Sequence, residues 1–232
     1  MNDDILIIIP AHNEEKNIRY LLKELKKEFK NILVIDDGSV DKTKEIAEKE
    51  KVFVISHKFC KGKGEALKTG FEYALKNNFS AVITMDGDGQ HLPEDVIKFV
   101  KRYKKKPEIG IIIGKRNIFS QSMPLIRKIT NLSMSVLISL LSFHWIPDTQ
   151  CGFRLINRKV LEKIKLYTSH YETESEILIK AGWHMFKINS IPIKTIYGKE
   201  KSKIRPLKDT FRFFRMLLFI LFPSLLKTKW KN

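Results

Sequence analysis

The chain has 232 residues and a mass of 27.1 kDa, which is long enough to bury one sizeable hydrophobic core, so one domain is expected. Hydrophobic residues make up 43% and charged residues 30%, a balance that excludes an intrinsically disordered chain. The 43 Lys and Arg residues against 26 Asp and Glu give a net charge of +17, which favours polyanionic partners: nucleic acid, an anionic membrane surface or phosphate-bearing substrates.

The two cysteines and the apolar stretches bear on the setting of the protein. Cys60 and Cys151 lack CxxC or Cys/His spacing, so we expect neither a zinc site nor a disulfide framework, and a reducing cytosolic setting. The N-terminal apolar run Ile5–Ile9 is too short for a signal peptide and is interpreted as a buried strand. No uninterrupted apolar stretch reaches the roughly 18 residues of a membrane span, so any membrane contact is expected to be peripheral.

The first half of the chain alternates short apolar runs with helical patterns. The five runs interpreted as strands are Ile5–Ile9, Ile32–Ile35, Val52–Ile55, Ala81–Met85 and Ile109–Ile113. The helical patterns begin near Ile18, after Asp41 and after the glycine-rich Lys61–Gly64. This order predicts an α/β fold with a mostly parallel central sheet flanked by helices.

Beyond about residue 115 the sequence becomes helical and more apolar. An apolar stripe over Ile129–Phe143 predicts a helix that lies at the surface or lines an apolar groove, and a further helix is predicted over Glu174–Ala181. A strand is predicted over Phe186–Ile193. The strongly apolar segment Leu207–Leu226 completes the pattern.

The C-terminal segment has the pattern of an interfacial helix. Lys208, Arg212 and Arg215 recur on one face, and Phe211 and Phe214 begin an apolar row on a neighbouring face. Cations near an anionic leaflet each add about 1 kcal/mol of attraction. We therefore divide the chain into an α/β domain, residues 1–206, and an amphipathic membrane-interfacial helix, residues 207–232; the alternative is that this helix packs on the sheet.

Polar side chains are concentrated at the ends of three predicted strands. The segments are Pro10-Ala11-His12-Asn13-Glu14-Glu15, Asp36-Asp37-Gly38-Ser39 and Asp86-Gly87-Asp88-Gly89-Gln90-His91. One such segment alone is more often a turn and a helix cap than a site. Ligands of open α/β sheets bind beyond the carboxyl ends of the strands, so the repetition at three strand ends indicates a ligand site.

The third segment predicts a site for a divalent cation. Two glycines let the backbone turn, so that the carboxylates of Asp86 and Asp88 and the amide oxygen of Gln90 can converge on one ion. Hard oxygen ligands suit Mg²⁺ or Mn²⁺, which also bind substrate phosphates. A calcium loop is excluded because His91 and Ile97 stand where that loop needs Gly and Glu, and no GxxxxGK[ST] or GxGxxG phosphate motif is present.

These motifs, taken in order, resemble the family 2 glycosyltransferases of the GT-A fold, in the dolichyl-phosphate mannose synthase-like, polyprenyl-phosphate branch. The resemblance covers nearly the whole chain, and its ordered set is highly specific although each piece is weak alone. Besides the three strand-end segments, it rests on Lys61-Gly62-Lys63-Gly64-Glu65-Ala66, Leu92-Pro93-Glu94, Gly114-Lys115-Arg116 and Asp148-Thr149-Gln150-Cys151-Gly152-Phe153-Arg154.

The resemblance implies a role for each matching position. The residues implied to bind the nucleotide sugar are Pro10, His12, Glu14, Ile35, Asp37, Lys63, Asp86, Gly87, Asp88, Arg116 and Lys203. Asp86, Asp88 and Gln90 would hold the metal that bridges the diphosphate, and Arg116 would face the phosphates. Lys203, after Tyr197-Gly198, matches a basic residue that touches donor or acceptor phosphate.

The nature of the acceptor decides whether the reaction needs a base. A hydroxyl acceptor needs a general base, for which Asp148 and Glu174 are the carboxylate candidates. Together with Asp88 and Arg116, these two residues form the expected catalytic set. A lipid phosphate is already anionic and needs cations, for which Arg127, Lys128 and Lys203 are candidates.

The leading interpretation is an inverting transfer of a hexose from GDP-mannose or UDP-glucose to a polyprenyl or dolichyl phosphate, by an enzyme peripherally bound to the cytosolic face of a membrane. The sequence leaves open whether a separate membrane subunit takes part. One alternative is transfer to a sugar hydroxyl in a cell-surface glycan or glycolipid. A basic nucleic-acid-binding module is a remote alternative, because no matching motif is present and the aromatics cluster in apolar runs.

Overall fold

The structure, a computed structural model, describes residues 4–116, 125–194 and 206–222. The strands within these residues are β1 (Ile5–Ala11), β2 (Ile32–Asp36), β3 (Phe53–Ser56), β4 (Ala81–Thr84), β5 (Ile109–Lys115), β6 (Arg154–Asn157) and β7 (Lys187–Pro192). They form one sheet in the order β3-β2-β1-β4-β6-β5-β7. The six strands predicted from apolar runs are all present, with bounds shifted by a few residues.

Parallel pairing brings the carboxyl ends of β1, β2 and β4 together at one edge of the sheet. β1 lies between the other two, and the register pairs Ala11 with Asp36 and Ile8 with Thr84. Because the three strands run in the same direction, the polar segments that follow them leave the sheet side by side.

β6 is the strand that the sequence did not reveal. It runs antiparallel between β4 and β5, and Arg154 is the register partner of both Thr84 and Ile113. The remaining neighbouring strands pair in parallel. The sheet is therefore mostly parallel, as predicted, with one reversed strand in its middle.

The helices surround this sheet. They are α1 (Ile18–Leu25), α2 (Thr43–Lys49), α3 (Lys63–Lys76), α4 (Val96–Lys105), α5 (Leu125–Ser142), α6 (Arg158–Lys163), α7 (Glu172–Trp183) and α8 (Pro206–Leu221). Of these, α5 and α8 pack on α7. The predicted apolar stripe of α1 is buried, with Ile18, Leu21, Leu22 and Leu25 at most 1% exposed. α4 and α6 were not predicted.

The core is centred on β1. Each residue of Ile5–Ile9 is at most 2% exposed. Consecutive strand residues point to opposite faces, so their common burial means that both faces of the sheet are covered. Burying one such side chain contributes about 1.5–3 kcal/mol relative to leaving it in water, and this burial fixes the strand whose end begins the site.

α5 and α8 each leave an apolar face exposed. On α5 and the loop after it, Leu140, Phe143 and Trp145 are 68%, 78% and 71% exposed. On α8 the buried side chains are Phe213, Met216, Leu217 and Ile220, and the exposed apolar ones include Phe211, Phe214 and Leu218. α8 thus packs with one face on the core, where it contacts α7, and leaves a second apolar face exposed.

None of the described helices combines the length and the apolar character needed to cross a bilayer. The part of the predicted C-terminal segment beyond residue 222 lies outside the described residues.

Candidate active site

Five of the residues implied to bind the nucleotide sugar, Pro10, His12, Glu14, Ile35 and Asp37, lie along the ends of β1 and β2. Pro10 and Ile35 are register partners on these two strands. His12 Nδ1 lies 2.8 Å from the main-chain oxygen of Asp37, which ties the two strand ends together. Glu14 follows within the same turn and is buried. The structure therefore brings all five into one strip at the edge of the sheet.

Asp37 is the anchor of a neighbouring loop. Its carboxylate lies 2.7 Å from His57 Nδ1 and accepts hydrogen bonds from the main-chain N–H groups of Lys61 and Gly62 at 2.9 and 2.7 Å. The Cys60 thiol donates a fourth at 3.3 Å. Burial alone raises the pKa of Asp37, but the hydrogen bonds from His57, the two N–H groups and Cys60 outweigh it and hold the pKa below its ordinary value. Asp37 is thus a carboxylate that fixes the loop leading to α3.

α3 begins with Lys63, whose side chain enters an acidic cluster. Lys63 Nζ lies 2.5 Å from Asp86 Oδ1 and 3.2 Å from Glu174 Oε1, although the three residues come from α3, the end of β4 and the first turn of α7. Burial lowers the pKa of Lys63, but the charges of Asp86 and Glu174 raise it well above its ordinary value. The lysine stays protonated and neutralises both carboxylates in part.

Gly152 is required for this close approach. A Cβ atom at this position would lie 2.7 Å from Lys63 Nζ and 2.9 Å from both Asp86 Oδ2 and Glu174 Oε1. The loop before β6 therefore packs its backbone directly on the charged cluster, and any side chain there would push the three groups apart.

Asp88 lies beside Asp86, so two carboxylates of like charge meet at this turn. Burial and the neighbouring charge of Asp86 raise the pKa of Asp88 to about 6. Asp88 Oδ1 also accepts a hydrogen bond from the main-chain N–H of Gln90 at 3.0 Å, so the segment turns back on itself as the two glycines predicted.

The donor set at this turn fits a divalent cation. Among the residues that the structure describes, no three Asp, Glu, His or Cys side chains gather into a complete ligand set. Two mutually repelling carboxylates with one amide oxygen match a metal that completes its shell with water and substrate phosphate, as Mg²⁺ does. The arrangement is compatible with the Asp86, Asp88 and Gln90 set predicted from the sequence.

His91 lies beside the acidic cluster, although at the sequence level we considered it only to exclude a calcium loop. It is 5% exposed, packs against Phe153 with tilted rings whose centroids are 5.2 Å apart, and its Nε2 lies 4.0 Å from Asp86 Oδ2. Burial lowers the pKa of His91 to about 4, so the imidazole is neutral at physiological pH. Its Nδ1 has no hydrogen-bond partner within the described part of the chain. The signal was its position directly after the acidic segment.

Arg116 and Asp148 form a bidentate ion pair. Arg116 Nε and one terminal nitrogen donate to the two oxygens of Asp148 at 2.8 and 2.9 Å, and the main-chain N–H of Arg116 donates at 3.1 Å. The Asp148 side chain is fully buried and that of Arg116 is 14% exposed. The carboxylate therefore fixes the orientation of the guanidinium at the end of β5.

Arg154 holds the loop that carries Gly152, a role that the sequence did not indicate. It is 1% exposed, and its guanidinium donates to the main-chain oxygens of Cys151, Glu174 and Thr149 at 2.8, 2.6 and 2.8 Å. Its positive charge is thus paired with main-chain carbonyl dipoles and not with a carboxylate. Arg154 thus joins the loop before β6 to α7 and sets the distance between Gly152 and Glu174.

Of the three cations expected to meet the acceptor phosphate, Lys128 alone has a side chain among the described residues. Lys128 lies on the first turns of α5 and is partly exposed. Arg127 is on the same helix, but its side chain lies outside the described residues, as does Lys203.

Comparison with known proteins gives the site a context. The family model described as glycosyl transferase family 2 matches residues 6–165. A UDP-N-acetylglucosamine–dolichyl-phosphate N-acetylglucosaminyltransferase of Methanococcus voltae is 35% identical over 216 residues, covering 83% of this chain and 86% of that protein. A dolichyl-phosphate beta-glucosyltransferase of Trichomonas vaginalis is 31% identical, covering 81% of this chain and 64% of that protein.

A solved structure shares the fold. Glucosyl-3-phosphoglycerate synthase from Mycobacterium tuberculosis, crystallised with Mn²⁺, UDP and phosphoglyceric acid, aligns with a TM-score of 0.73 at 20% identity, over 94% of this chain and 77% of that one. The likeness confirms the α/β fold expected for the GT-A class.

Proposed function

The chain belongs to glycosyl transferase family 2, and from that premise we propose that it transfers a hexose from a nucleoside-diphosphate sugar to a polyprenyl phosphate. Two relatives above 30% identity are named for transfer to dolichyl phosphate, which supports the lipid phosphate as acceptor. The donor sugars in those names differ, so the candidates are UDP-N-acetylglucosamine as well as the UDP-glucose and GDP-mannose expected from the sequence.

The observation that carries the proposal is the pairing of both candidate bases with cations. Asp148 accepts two hydrogen bonds from Arg116, and Glu174 lies 3.2 Å from Lys63 Nζ. A carboxylate held this way is a poor acceptor for the proton of a hydroxyl group. An anionic phosphate oxygen needs no deprotonation, so this site suits a phosphate acceptor better than a sugar hydroxyl.

The nucleotide part of the donor would occupy the strip at the ends of β1 and β2. Pro10 and His12 would offer apolar and ring surface to a base, and Glu14 a carboxylate to the ribose hydroxyls, while the buried Ile35 and Asp37 fix the strand end and the loop on which these residues rest. The diphosphate would then extend towards Asp86, Gly87 and Asp88, where Arg116 and Lys203 are the proposed cationic contacts.

Asp86, Asp88 and Gln90 would hold the divalent ion, Mg²⁺ or Mn²⁺. Once bound, such an ion offsets the negative charge that develops on the departing diphosphate. Lys63 holds Asp86 in place from the opposite side, and Gly152 keeps the loop backbone close enough for that contact. The neutral His91 packs behind Asp86 without adding a charge.

In the proposed reaction, an oxygen of the acceptor phosphate forms a bond to the anomeric carbon of the sugar as the bond from that carbon to the diphosphate oxygen breaks. The nucleoside diphosphate leaves with the electron pair, and the anomeric configuration inverts. Arg116, oriented by Asp148, would face the phosphates during the transfer, while Lys63 keeps Asp86 and Glu174 in place.

The exposed apolar faces of α5 and α8 support a peripheral contact with the cytosolic face of a membrane. Leu140, Phe143 and Trp145 extend from one, and Phe211 and Phe214 from the other. An apolar face beside basic residues is the pattern of a helix that lies in the lipid headgroup region. Such a contact would bring the site to the surface where the lipid acceptor resides.

Donor binding is tested with a thermal-unfolding panel of UDP, GDP, UDP-N-acetylglucosamine, UDP-glucose and GDP-mannose, with and without Mn²⁺. We expect one base to stabilise the protein and to do so only with metal. Asp88→Ala abolishes that stabilisation if the metal assignment is right, and an unchanged shift in this variant counts against it.

The acceptor is tested with Asp148→Asn and Glu174→Gln. With a hydroxyl acceptor, loss of the general base lowers kcat by about 100-fold or more. With a lipid phosphate, we expect Glu174→Gln to lower kcat by less than about tenfold, because the residue positions Lys63 without accepting a proton. A fall of the first size would favour transfer to a sugar hydroxyl.

A further inference from the structure

The loop between β3 and α3, residues 57–62, is held from within by the carboxylate of Asp37. Four donors of this loop reach the carboxylate: His57 Nδ1 and the Lys61 N–H at one oxygen, and the Gly62 N–H and the Cys60 thiol at the other. An ionised carboxylate accepts about four hydrogen bonds, so its capacity is used within the protein. Only 4% of the Asp37 side chain is exposed, so other groups must contact a nucleoside.

The β3–α3 loop lies directly on the end of β2. A Cβ atom on Gly38, whose φ is +65°, would lie 2.4 Å from the carbonyl carbon of Phe59 and 2.6 Å from the Cys60 nitrogen. The His57 N–H donates to the main-chain oxygen of Asp36 at 2.9 Å. Glycine allows this approach because a side chain at position 38 would push the loop away. The main chain of Phe59 is therefore fixed beside the turn that follows β2.

His12 lies at the same turn, and its ring is fixed as well. Its Nδ1 lies 2.8 Å from the main-chain oxygen of Asp37, which can only accept, so Nδ1 carries a proton and donates it. Its Nε2 lies 3.2 Å from Asn13 Nδ2, while Asn13 Oδ1 accepts from the Val40 N–H at 2.9 Å. Both ring nitrogens are engaged by the protein, so a base would meet the face of this ring and not its edge.

Phe59 and His12 are anchored on consecutive residues. His12 binds the carbonyl oxygen of Asp37, and the main chain of Phe59 rests on Gly38. The Phe59 side chain is 66% exposed, and Lys61 Nζ lies 5.8 Å from its ring centroid. A single exposed aromatic side chain is common on protein surfaces and by itself indicates nothing. This one belongs to a loop that Asp37 and Gly38 hold beside the strip proposed for the nucleoside.

We propose that Phe59 forms a second wall of the nucleoside site, so that the base of the donor lies against the rings of both His12 and Phe59. The inference rests on the proposed function, because it adds a residue to the donor site named there. Every base presents a π face, so this contact strengthens the binding of whichever nucleoside diphosphate the protein accepts, and other groups choose between uracil and guanine.

The test measures binding to the full chain by titration calorimetry with Mn²⁺. The ligands are UDP, GDP and inorganic pyrophosphate, of which only the last lacks a base. Phe59→Ala removes the ring, and Phe59→Trp keeps an aromatic surface. Tyr20→Ala is the matched control, because Tyr20 is 64% exposed and lies on α1, outside the site. Equal melting temperatures without ligand establish that the variants are folded.

We expect Phe59→Ala to weaken the binding of the accepted nucleoside diphosphate by about tenfold or more, since the loss of base stacking on an aromatic side chain has an effect of this size. Its affinity for pyrophosphate should equal that of the wild type. Phe59→Trp should retain most of the affinity for the nucleoside diphosphate, and Tyr20→Ala should bind as the wild type does.

A second measurement needs no variant. Cys60 follows Phe59 directly and is exposed, so a base that covers Phe59 should also slow the reaction of the Cys60 thiol with an alkylating reagent. We expect the accepted nucleoside diphosphate with Mn²⁺ to lower the labelling rate severalfold, and pyrophosphate with Mn²⁺ to leave it unchanged.

Equal nucleoside diphosphate affinities of Phe59→Ala and the wild type would overturn this inference and leave the proposed function standing. An equal loss of pyrophosphate affinity in Phe59→Ala would also overturn it, because the ring would then act on the phosphates and not on the base. So would Cys60 labelling that the nucleoside diphosphate leaves unchanged, or that pyrophosphate slows equally. If the wild type binds neither UDP nor GDP, the proposed function and this inference fail together.

Discussion

Replacing Lys63 with methionine removes the cation that lies between Asp86 and Glu174. The Lys63 Nζ atom is 2.5 Å from one carboxylate and 3.2 Å from the other, and only 15% of its side chain is exposed. The variant leaves two carboxylates facing each other in a site with little water. Removing one partner of a buried ion pair costs about 3–5 kcal/mol, and we reduce this to about 2–4 kcal/mol because Asp86 is 27% exposed.

The assay is thermal unfolding followed by circular dichroism in EDTA. For a chain of this size, 1 kcal/mol shifts Tm by about 2–4 °C, so we expect Lys63→Met to melt about 5–15 °C below the wild type. Lys68→Met is the matched control, since Lys68 pairs with Glu65 on the same helix at 2.6 Å but is more exposed. That surface pair contributes at most about 1 kcal/mol.

Equal melting temperatures for Lys63→Met and Lys68→Met would refute the view that this lysine neutralises the cluster. A second comparison tests the cause directly. Adding Asp86→Asn to Lys63→Met removes one of the repelling charges and should recover part of the lost stability. A double variant no more stable than Lys63→Met would show that repulsion is not the source of the loss.

Three further predictions follow from side chains around the site. Asp37→Asn should lower the free energy of unfolding in urea by about 1–3 kcal/mol at pH 7. Because the folded-state pKa of Asp37 is lowered, its stabilising contribution is present above the ordinary value of 3.8 and is lost as pH falls through the lower folded-state pKa. The stabilities of wild type and variant should therefore converge in acid, and a gap that stays constant with pH would contradict this. Cys60 is exposed, whereas burial raises the pKa of the Cys151 thiol to about 12. A thiol reagent at pH 8 should therefore label only Cys60 until denaturant is added, and labelling of Cys151 in the native protein would contradict its burial. Arg154→Lys should lower the free energy of unfolding by about 2–4 kcal/mol in the same assay, because a single ammonium group cannot reach three main-chain oxygens. An unchanged urea midpoint would contradict the bridging role of Arg154.

Local patterns were enough to predict the edge of the sheet where the candidate site lies. The apolar runs identified six of the strands, and the polar segments after β1, β2 and β4 meet because those strands pair in parallel. α4 could have been found the same way, since Val96, Phe99, Val100 and Tyr103 follow helical spacing.

Other features depend on contacts between distant segments. β6 has only four residues, bounded by Arg154 and Asn157, and its strand character comes from pairing with β4 and β5. The approach of Lys63 to Glu174 depends on the packing of α3 against α7 through Gly64 and Thr173, where a Cβ on the glycine would lie 2.0 Å from the threonine hydroxyl. No spacing within one segment encodes such a contact.

The sequence likewise does not predict which partner each charged residue has. Arg116 and Arg154 both belong to motifs of the family resemblance, yet one pairs with a buried carboxylate and the other with three peptide oxygens. Only the fold determines which of two arginines faces a carboxylate. The same holds for His91, which the burial beside Phe153 keeps neutral.

The most direct measurement is mass spectrometry of the product formed from a nucleoside-diphosphate hexose, with farnesyl phosphate and farnesol offered together as acceptors, with Mn²⁺ and in EDTA. The account predicts one product, in which the sugar is joined to the phosphate of the isoprenoid, and predicts it only with metal present. Sugar transferred to farnesol, or transfer to either acceptor that continues undiminished in EDTA, would contradict it.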